Sequence, residues 1–149
     1  MSHKQPVSVL VVIHSPAPHY DILLLERAAH PGYWQSVTGS REGDEALLDT
    51  AVREVAEETG IVATVEQFVD WQQTNTYEIF PEWRHRYAPG VTENTEHVFS
   101  LAVPRDTPIR VAPSEHLDHC WLPLDEAAAK VFSWSNRDAI RALPQRFKA

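Results

Sequence analysis

The sequence predicts a single-domain protein of the α/β (or α+β) class, in which a mixed sheet packs between helices. Strand-like apolar segments occur both before and after one strongly helical segment, and two further helical segments follow near the end of the chain. A chain of 149 residues has enough side chains to fill one hydrophobic core, but rarely two. We therefore expect one domain that spans residues 1–149.

The first strands are predicted from short apolar runs. Val7–His14 is rich in β-branched residues, which is typical of a central strand. The prolines of Ser15–His19 interrupt it, and Asp21–Glu26 resumes an extended pattern, so we expect a hairpin. Trp34–Val37 predicts a short extended piece that leads to Gly39.

The strongest helical segment is Glu45–Glu58, which contains good helix formers and neither glycine nor proline. Asp44 is placed to cap its start, and Gly60 stands where a left-handed C-terminal cap is expected. The apolar residues recur at helical spacing and predict one buried face, made of Leu48, Ala51, Val52 and Val55.

The second half of the chain predicts more strands and then two helices. The strand-like segments are Val62–Trp71, Thr74–Phe80, His97–Val103 and His119–Leu122. The first helix is expected around Leu124–Phe132. The second is expected to begin at Ser135, because Ser135 and Asp138 form a Ser-x-x-Asp capping pattern.

The charge and cysteine content exclude some classes of function. The net charge of −8 and the pI near 5.4 argue against binding to nucleic acid or to an anionic membrane surface, since both depend on Lys and Arg. Cys120 is the only cysteine, so no intrachain disulfide is possible, and no apolar run is long enough to cross a membrane. We expect a cytoplasmic protein.

Three carboxylates crowd the end of the predicted helix. Glu54, Glu57 and Glu58 fall within roughly one third of its circumference. They repel one another, and two of them lie in the last turn, where the helix dipole also disfavours anions. Taken alone, such a cluster is most often a solvated acidic face. Divalent cations between the carboxylates would also account for it, because Mg²⁺ prefers oxygen ligands.

The residues around the carboxylates match the pattern G-x5-E-x7-R-E-U-x-E-E-x-G-U, where U is aliphatic, at every specified position. The matching residues are Gly39, Glu45, Arg53, Glu54, Val55, Glu57, Glu58, Gly60 and Ile61. The chain thereby resembles the Nudix family.

The Nudix resemblance implies an α/β/α sandwich and hydrolysis of a nucleoside diphosphate linked to another group. It implies that Glu54, Glu57 and Glu58 are metal ligands for Mg²⁺, or for Mn²⁺ in its place, and that the Gly39 carbonyl joins them. Glu57 and Glu58 are then also the expected catalytic residues.

Other segments are similar to one group within that family, the bacterial dihydroneopterin triphosphate diphosphatases. The similarity runs from about Pro6 to about Ile140 and is carried by Trp34–Ser40, Arg84–Val91, Asn94–Glu96 and Ser133–Arg137. It implies release of pyrophosphate from 7,8-dihydroneopterin triphosphate, leaving the monophosphate, in folate biosynthesis.

This narrower resemblance also implies roles for individual residues. Glu115 resembles a carboxylate that either completes the metal site or acts as the catalytic base, although by itself it reads as a turn residue. Arg27 resembles a phosphate contact, a role that suits its planar set of donors, and Lys4 and Thr38 are weaker candidates for the same role.

The pterin ring is expected to lie along Tyr77, Glu78, Ile79 and Phe80, and Ser133 is similar to a substrate-contacting serine. Because side chains alternate along a strand, we expect Tyr77 and Phe80 on opposite faces, with one of them in the core. Aromatic residues elsewhere read as core or interface residues, namely Trp34, Trp83 and Tyr87. The spacing of His85 and His116 matches no zinc pattern.

Two alternatives keep the fold and change the function. One is a house-cleaning pyrophosphatase for nucleoside triphosphates, such as dATP or oxidised nucleotides, which relative kcat/KM values would reveal. The other is an inactive Nudix-fold binding module, against which the intact Glu54, Glu57 and Glu58 argue. In each case the partner is a small molecule, and the protein is a monomer or a homodimer.

Overall fold

A computed structural model describes residues 3–146, in which a seven-stranded mixed sheet is combined with three α-helices. The strands are β1 Val7–His14, β2 Asp21–Arg27, β3 Trp34–Gln35, β4 Val37–Ser40, β5 Phe68–Glu78, β6 Glu93–Ala102 and β7 His116–Pro123. The helices are α1 Leu47–Thr59, α2 Leu124–Lys130 and α3 Trp134–Arg146.

The sheet is organised around β1, and one edge of β1 is shared between two strands. On one side β1 runs parallel to β6 along its whole length. On the other side β4 pairs antiparallel with Ser8–Val11, whereas β2 meets β1 only at His14, opposite Ile22. Since β2 and β4 pair with different parts of β1, the sheet divides at this edge.

The two faces of β1 supply two hydrophobic cores, as the alternation of side chains in a central strand requires. Val9, Val11 and Ile13 lie in the core that also contains Ala51 and Val55 of α1. Leu10 and Val12 lie in the other core, with residues from α2 and α3. The expected arrangement of helices on both sides of a mixed sheet is therefore confirmed.

The start of α1 differs from the prediction, while its end agrees. The helix begins at Leu47, and Asp44 does not cap it, because the N-cap position is Ala46 and has no side-chain cap bond. The Glu45 carboxylate instead accepts a hydrogen bond from the Glu42 N–H, which holds this segment in a turn. Gly60 adopts the expected left-handed conformation, with φ of 78°.

The two strands predicted at Val62–Trp71 and Thr74–Phe80 have wrong boundaries, because they form one strand that begins later. Val62 is 90% exposed, and Thr64 and Gln67 close a capping box around a 3₁₀ turn, so the strand begins only at Phe68. It then continues as β5 to Glu78, with a register shift between Asp70 and Thr74.

The boundaries near the C-terminus are also shifted. The helix α2 ends at Lys130, before Phe132. The helix α3 begins at Trp134, and its first N–H groups are met by Ser133 instead of Ser135, because the Ser133 hydroxyl accepts a hydrogen bond from the Asn136 N–H at 3.2 Å. Ser135 is buried, and its hydroxyl donates to Glu96 instead.

We expect Gly60→Ala to lower the free energy of unfolding by about 1 kcal/mol, because alanine is strained at positive φ. Gly60→Asn is the matched control and should cost less than half as much, since asparagine tolerates the left-handed region. Urea denaturation monitored by circular dichroism measures both values. Equal losses for the two variants would contradict a conformational origin.

Candidate active site

One cavity of about 1230 Å³ opens where the sheet divides. It is lined by the N-terminal segment, β1, β4, β6, the end of α1, the loop before β7 and the start of α3. Nearly all the site residues expected from the sequence line it, namely Lys4, Arg27, Thr38, Gly39, Glu54, Tyr77, Glu78, Ile79, Phe80, Glu58, Glu115 and Ser133. Glu57 is the exception.

The close approach of α1 to β4 explains why a glycine is needed at position 39. A Cβ atom at Gly39 would overlap the Glu54 carboxylate, so any larger residue would displace the end of that side chain from its present position. Gly39 pairs with Val9 of the central strand, which fixes its position in the sheet. The main chain of β4 and the carboxylate of Glu54 thus form one wall of the cavity.

Glu58 is buried in this wall, with 2% of its surface exposed. The main-chain N–H of Thr38 donates to its carboxylate, while its Oε1 atom has no hydrogen-bond partner. His116 Nε2 lies 3.7 Å from that oxygen. Burial, and after it the charge of Arg27, lowers the pKa of His116 to about 4, so the ring is neutral at pH 7 and supplies no counter-charge.

The raised pKa values of the buried carboxylates favour a cation beside them. Burial, the Glu54 carboxylate beside it and the charge of Glu115 raise the pKa of Glu58 well above its usual value. Burial also raises the pKa of Glu54. A divalent cation fits this wall, because it would satisfy the unpaired Glu58 oxygen and allow both groups to ionise.

The carboxylates face one cavity but are not gathered around a point. Among residues 3–146, no three His, Cys, Asp or Glu side chains already stand where they could hold a metal ion together. Glu57 is 52% exposed and lies 3.3 Å from Arg53 Nη1. Glu54 is also bound to Arg53, at 2.7 Å.

Arg53 and Glu45 join the turn before α1 to the helix and to β4. The Arg53 guanidinium donates to both oxygens of Glu45, at 2.8 and 2.9 Å, and to the Ser40 carbonyl at 3.1 Å. The hydrogen bond from Arg53 lowers the pKa of Glu45 to about 2. These contacts hold the Glu54 carboxylate in place from behind.

Cationic side chains line the same cavity. Lys4 is held by a main-chain hydrogen bond to the Arg86 carbonyl at 2.9 Å. Burial, and then repulsion by Arg86 and Arg27, lowers the pKa of Lys4 to about 8. Arg27 donates to Gln35 Oε1 at 3.1 Å, and its guanidinium lies 4.8 Å from the centre of the Trp83 ring. An anion entering the cavity would meet these groups.

Aromatic rings form a further wall, and the prediction for Tyr77 and Phe80 is wrong. Phe80 lies beyond the end of β5, at the start of the 3₁₀ turn Pro81–Arg86, so strand alternation does not apply and both rings line the cavity. Trp83 and Tyr87, which were interpreted as core or interface residues, also line the cavity. Trp34 does pack against the core, under Lys130.

Two buried polar residues of β6, Asn94 and Glu96, line the cavity although no site role was predicted for them. They are 2% and 3% exposed and lie two positions apart, so they share one face of the strand. The available signal was that Asn94–Glu96 contributes to the resemblance and directly precedes the predicted strand His97–Val103. A buried acidic residue there calls for a polar partner.

The sheet is mixed and divided, and the helix that carries the buried carboxylates packs against the strand that contains Gly39. This arrangement defines the Nudix class of proteins. A family model of the NUDIX domain matches residues 4–143, and the chain belongs to that family. Membership predicted from the Gly39–Ile61 pattern is thereby confirmed, and Nudix hydrolases in general use divalent metal ions.

Within the family, the chain is similar to dihydroneopterin triphosphate diphosphatases. It is 48% identical to the enzyme of that name from Escherichia coli strain K12 over 93% of this chain and 91% of the relative. It is 38% identical to the Haemophilus influenzae enzyme over 95% of this chain and 89% of the relative. The solved structure of the Escherichia coli dihydroneopterin triphosphate pyrophosphohydrolase has 46% identity and a TM-score of 0.88, covering 98% and 99% of the two chains.

None of the helices within residues 3–146 has the length and hydropathy required to cross a membrane.

The Glu45–Arg53 contact should make stability depend on pH. The folded-state pKa of Glu45 is about 2, below the ordinary glutamate pKa of 4.5, so its contribution is fully present above pH 4.5 and is lost as the pH falls toward 2. We expect Glu45→Gln to be less stable than the wild type at pH 7, and the difference to shrink steadily below pH 4.5.

Denaturant titrations of both proteins between pH 7 and pH 3 measure this difference. Glu42→Gln is the control, because the Glu42 side chain is 73% exposed and lies 3.6 Å from Arg53. It should show little pH-dependent difference from the wild type. A constant gap between Glu45→Gln and the wild type across this range would refute the assignment.

Proposed function

We propose that the protein hydrolyses 7,8-dihydroneopterin triphosphate to dihydroneopterin monophosphate and pyrophosphate, with Mg²⁺ as cofactor. The observation that carries the proposal is the composition of one cavity. Buried carboxylates with an unpaired oxygen, cationic side chains and an aromatic wall lie together in it. Two relatives that carry the name of this activity support the substrate. They are 48% and 38% identical to the chain, which covers 91% and 89% of their length.

Glu54, Glu58 and the Gly39 carbonyl would hold the metal ion, with Glu115 from the opposite loop and Glu57 at the outer side. Glu115 lines the cavity and contributes to the raised pKa of Glu58, which supports a place close to it. Mg²⁺, when bound, neutralises phosphate charge and lowers the pKa of a water molecule, which makes that water a nucleophile.

Side chains of the protein position the triphosphate and accept the proton that the attacking water loses. Arg27 and Lys4 bind phosphate oxygens, and the Thr38 main chain helps to orient Glu58. The carboxylate of Glu115, when it is not a ligand, accepts the proton of the attacking water. The pterin ring packs on the aromatic wall at Tyr77 and Phe80, and Glu78, Ile79 and Ser133 line the space around it.

The decisive assay incubates the protein with Mg²⁺ and 7,8-dihydroneopterin triphosphate and measures released pyrophosphate. We expect Glu58→Gln to reduce kcat by about 100-fold or more, because the neutral amide is a poor metal ligand. Glu66→Gln, an exposed residue outside the cavity, should retain full activity. Release by the wild type no faster than by Glu58→Gln would sink the proposal.

The same assay separates the alternatives. A kcat/KM for dATP above that for the pterin triphosphate would make the protein a nucleotide pyrophosphatase instead. Failure to turn over either compound, with no thermal stabilisation by Mg²⁺, would make it a binding module.

Gly39→Ala should weaken Mg²⁺ binding by about 10-fold or more, because the added Cβ displaces the Glu54 carboxylate. Gly32→Ala is the matched control. Gly32 has a positive φ of 92°, which Gly39 does not, and nothing lies near its added Cβ, so it shows the effect of an added methyl group and of backbone strain without a clash. Isothermal titration with Mg²⁺ measures both. Equal affinity for Gly39→Ala and the wild type would remove Glu54 from the metal site.

We also propose a cytoplasmic location, which the single cysteine supports.

A further inference from the structure

Glu96 is a buried carboxylate in the cavity that the reaction does not use. It is 3% exposed, and its neighbours are neutral: Asn75 Nδ2 lies 3.4 Å from its Oε1, and the Ser135 hydroxyl also donates to it. Within residues 3–146, none of the ion pairs includes Glu96. Burial raises its pKa. A carboxylate is costly to bury in this way unless donors approach it from the open side.

Asn94 adds a second acceptor on the same face of β6. Its Nδ2 atom donates to Ser8 Oγ at 2.7 Å and to the Tyr77 hydroxyl at 3.0 Å, which fixes the amide. Its Oδ1 atom is buried and has no hydrogen-bond partner. Glu96 and Asn94 therefore both line the cavity, and the Asn94 oxygen has no hydrogen-bond partner within the described part of the protein.

The position of Glu96 suits the far end of a ligand whose phosphates lie at the carboxylate wall. Glu96 stands opposite Ser8 of β1, and Ser8 stands opposite Ser40 of β4, next to Gly39. Two strand spacings separate Glu96 from Ser40, or about 10 Å. A fused heteroaromatic ring with its side chain spans a comparable distance. The Tyr77 hydroxyl accepts a hydrogen bond from Asn94 and therefore lies close to β6, two residues from Glu96 along that strand.

We propose that Glu96 determines ring specificity by accepting hydrogen bonds from a heterocycle edge that carries two adjacent N–H donors. The inference rests on the proposed function. A 2-amino-4-oxopteridine has such an edge, formed by its exocyclic amino group and the neighbouring ring N–H. A carboxylate matches this pair with two parallel bonds, in the geometry that carboxylates use with guanidinium groups. Adenine presents one donor beside one acceptor, which fits a carboxamide better.

The test compares Glu96→Gln with the wild type on ligands that separate the ring from the phosphates. For 7,8-dihydroneopterin, which has no phosphate, we expect Kd to rise about 30-fold, because the amide N–H faces a ligand N–H. For pyrophosphate with Mg²⁺, Kd should change less than about twofold, since Glu96 does not touch the metal end. In turnover the loss should appear in KM, and the ratio of kcat/KM for dATP to that for the pterin triphosphate should rise by about 10-fold or more.

Glu93→Gln is the matched control, because it makes the same substitution on the same strand at an exposed position outside the cavity. It should leave all these constants unchanged. A Glu96→Gln protein that binds dihydroneopterin as tightly as the wild type, or that loses pyrophosphate binding equally, overturns the inference.

A measurement on the wild type protects the test if Glu96→Gln does not fold. Dihydroneopterin should bind about 10-fold or more tightly than its analogue lacking the 2-amino group, and equal affinities would overturn the inference. The outcomes are separable from those of the proposed function. A wild type that releases no pyrophosphate removes the function, whereas normal release with unchanged ring selectivity in Glu96→Gln removes only the role of Glu96.

Discussion

The structure depends on the burial of like charges where α1 packs against β4. Glu58 is almost fully buried and Glu54 is pressed against the main chain of Gly39, although burial raises the pKa of both carboxylates and Glu54 raises that of Glu58 further. Such an arrangement costs folding free energy, because the charges repel and lose their hydration. The ion pair of Arg53 and Glu45 supports the wall from behind, and the proposed cation would offset the repulsion in front of it.

The division of the sheet gives this wall a cavity to face. If β2 and β4 both followed β1 along its whole length, no gap would exist beside the carboxylates. Instead β4 pairs with the first half of β1, and β2 meets its end at His14. The gap connects α1 on one face with β6 and α3 on the other. The same split brings the Glu115 loop, which is bonded to Ala28 after β2, to the carboxylates from the opposite side.

Much of the fold was predictable from local patterns, while several site details were not. The strand Val7–His14 and the helix cap at Gly60 were predicted correctly because each depends on local sequence. The strand follows from its β-branched residues, and the cap follows from the positive φ that glycine can adopt. The start of α1 was misplaced because the Glu45 side chain bonds Arg53, a contact that spans eight residues and overrides local helix propensity. Phe80 and Ser135 were misread for a related reason, since the end of β5 decides which way Phe80 faces and Ser133, not Ser135, caps α3. Glu96 was missed because only the sheet pairing shows that it is buried within a cavity.

The two buried carboxylates at opposite ends of the cavity have opposite requirements, and together they define the ligand. Glu58 has an unpaired oxygen close to other carboxylates and cationic side chains, so under the proposed function that end would accept phosphates accompanied by a metal ion. Glu96 has only neutral donors around it, so that end accepts neutral N–H groups and excludes phosphate by repulsion. A ligand with a charged chain at one end and a neutral, donor-rich ring at the other satisfies both and binds in one orientation. In a protein of net charge −8, this polarity orients an anionic substrate where a generally basic pocket would not.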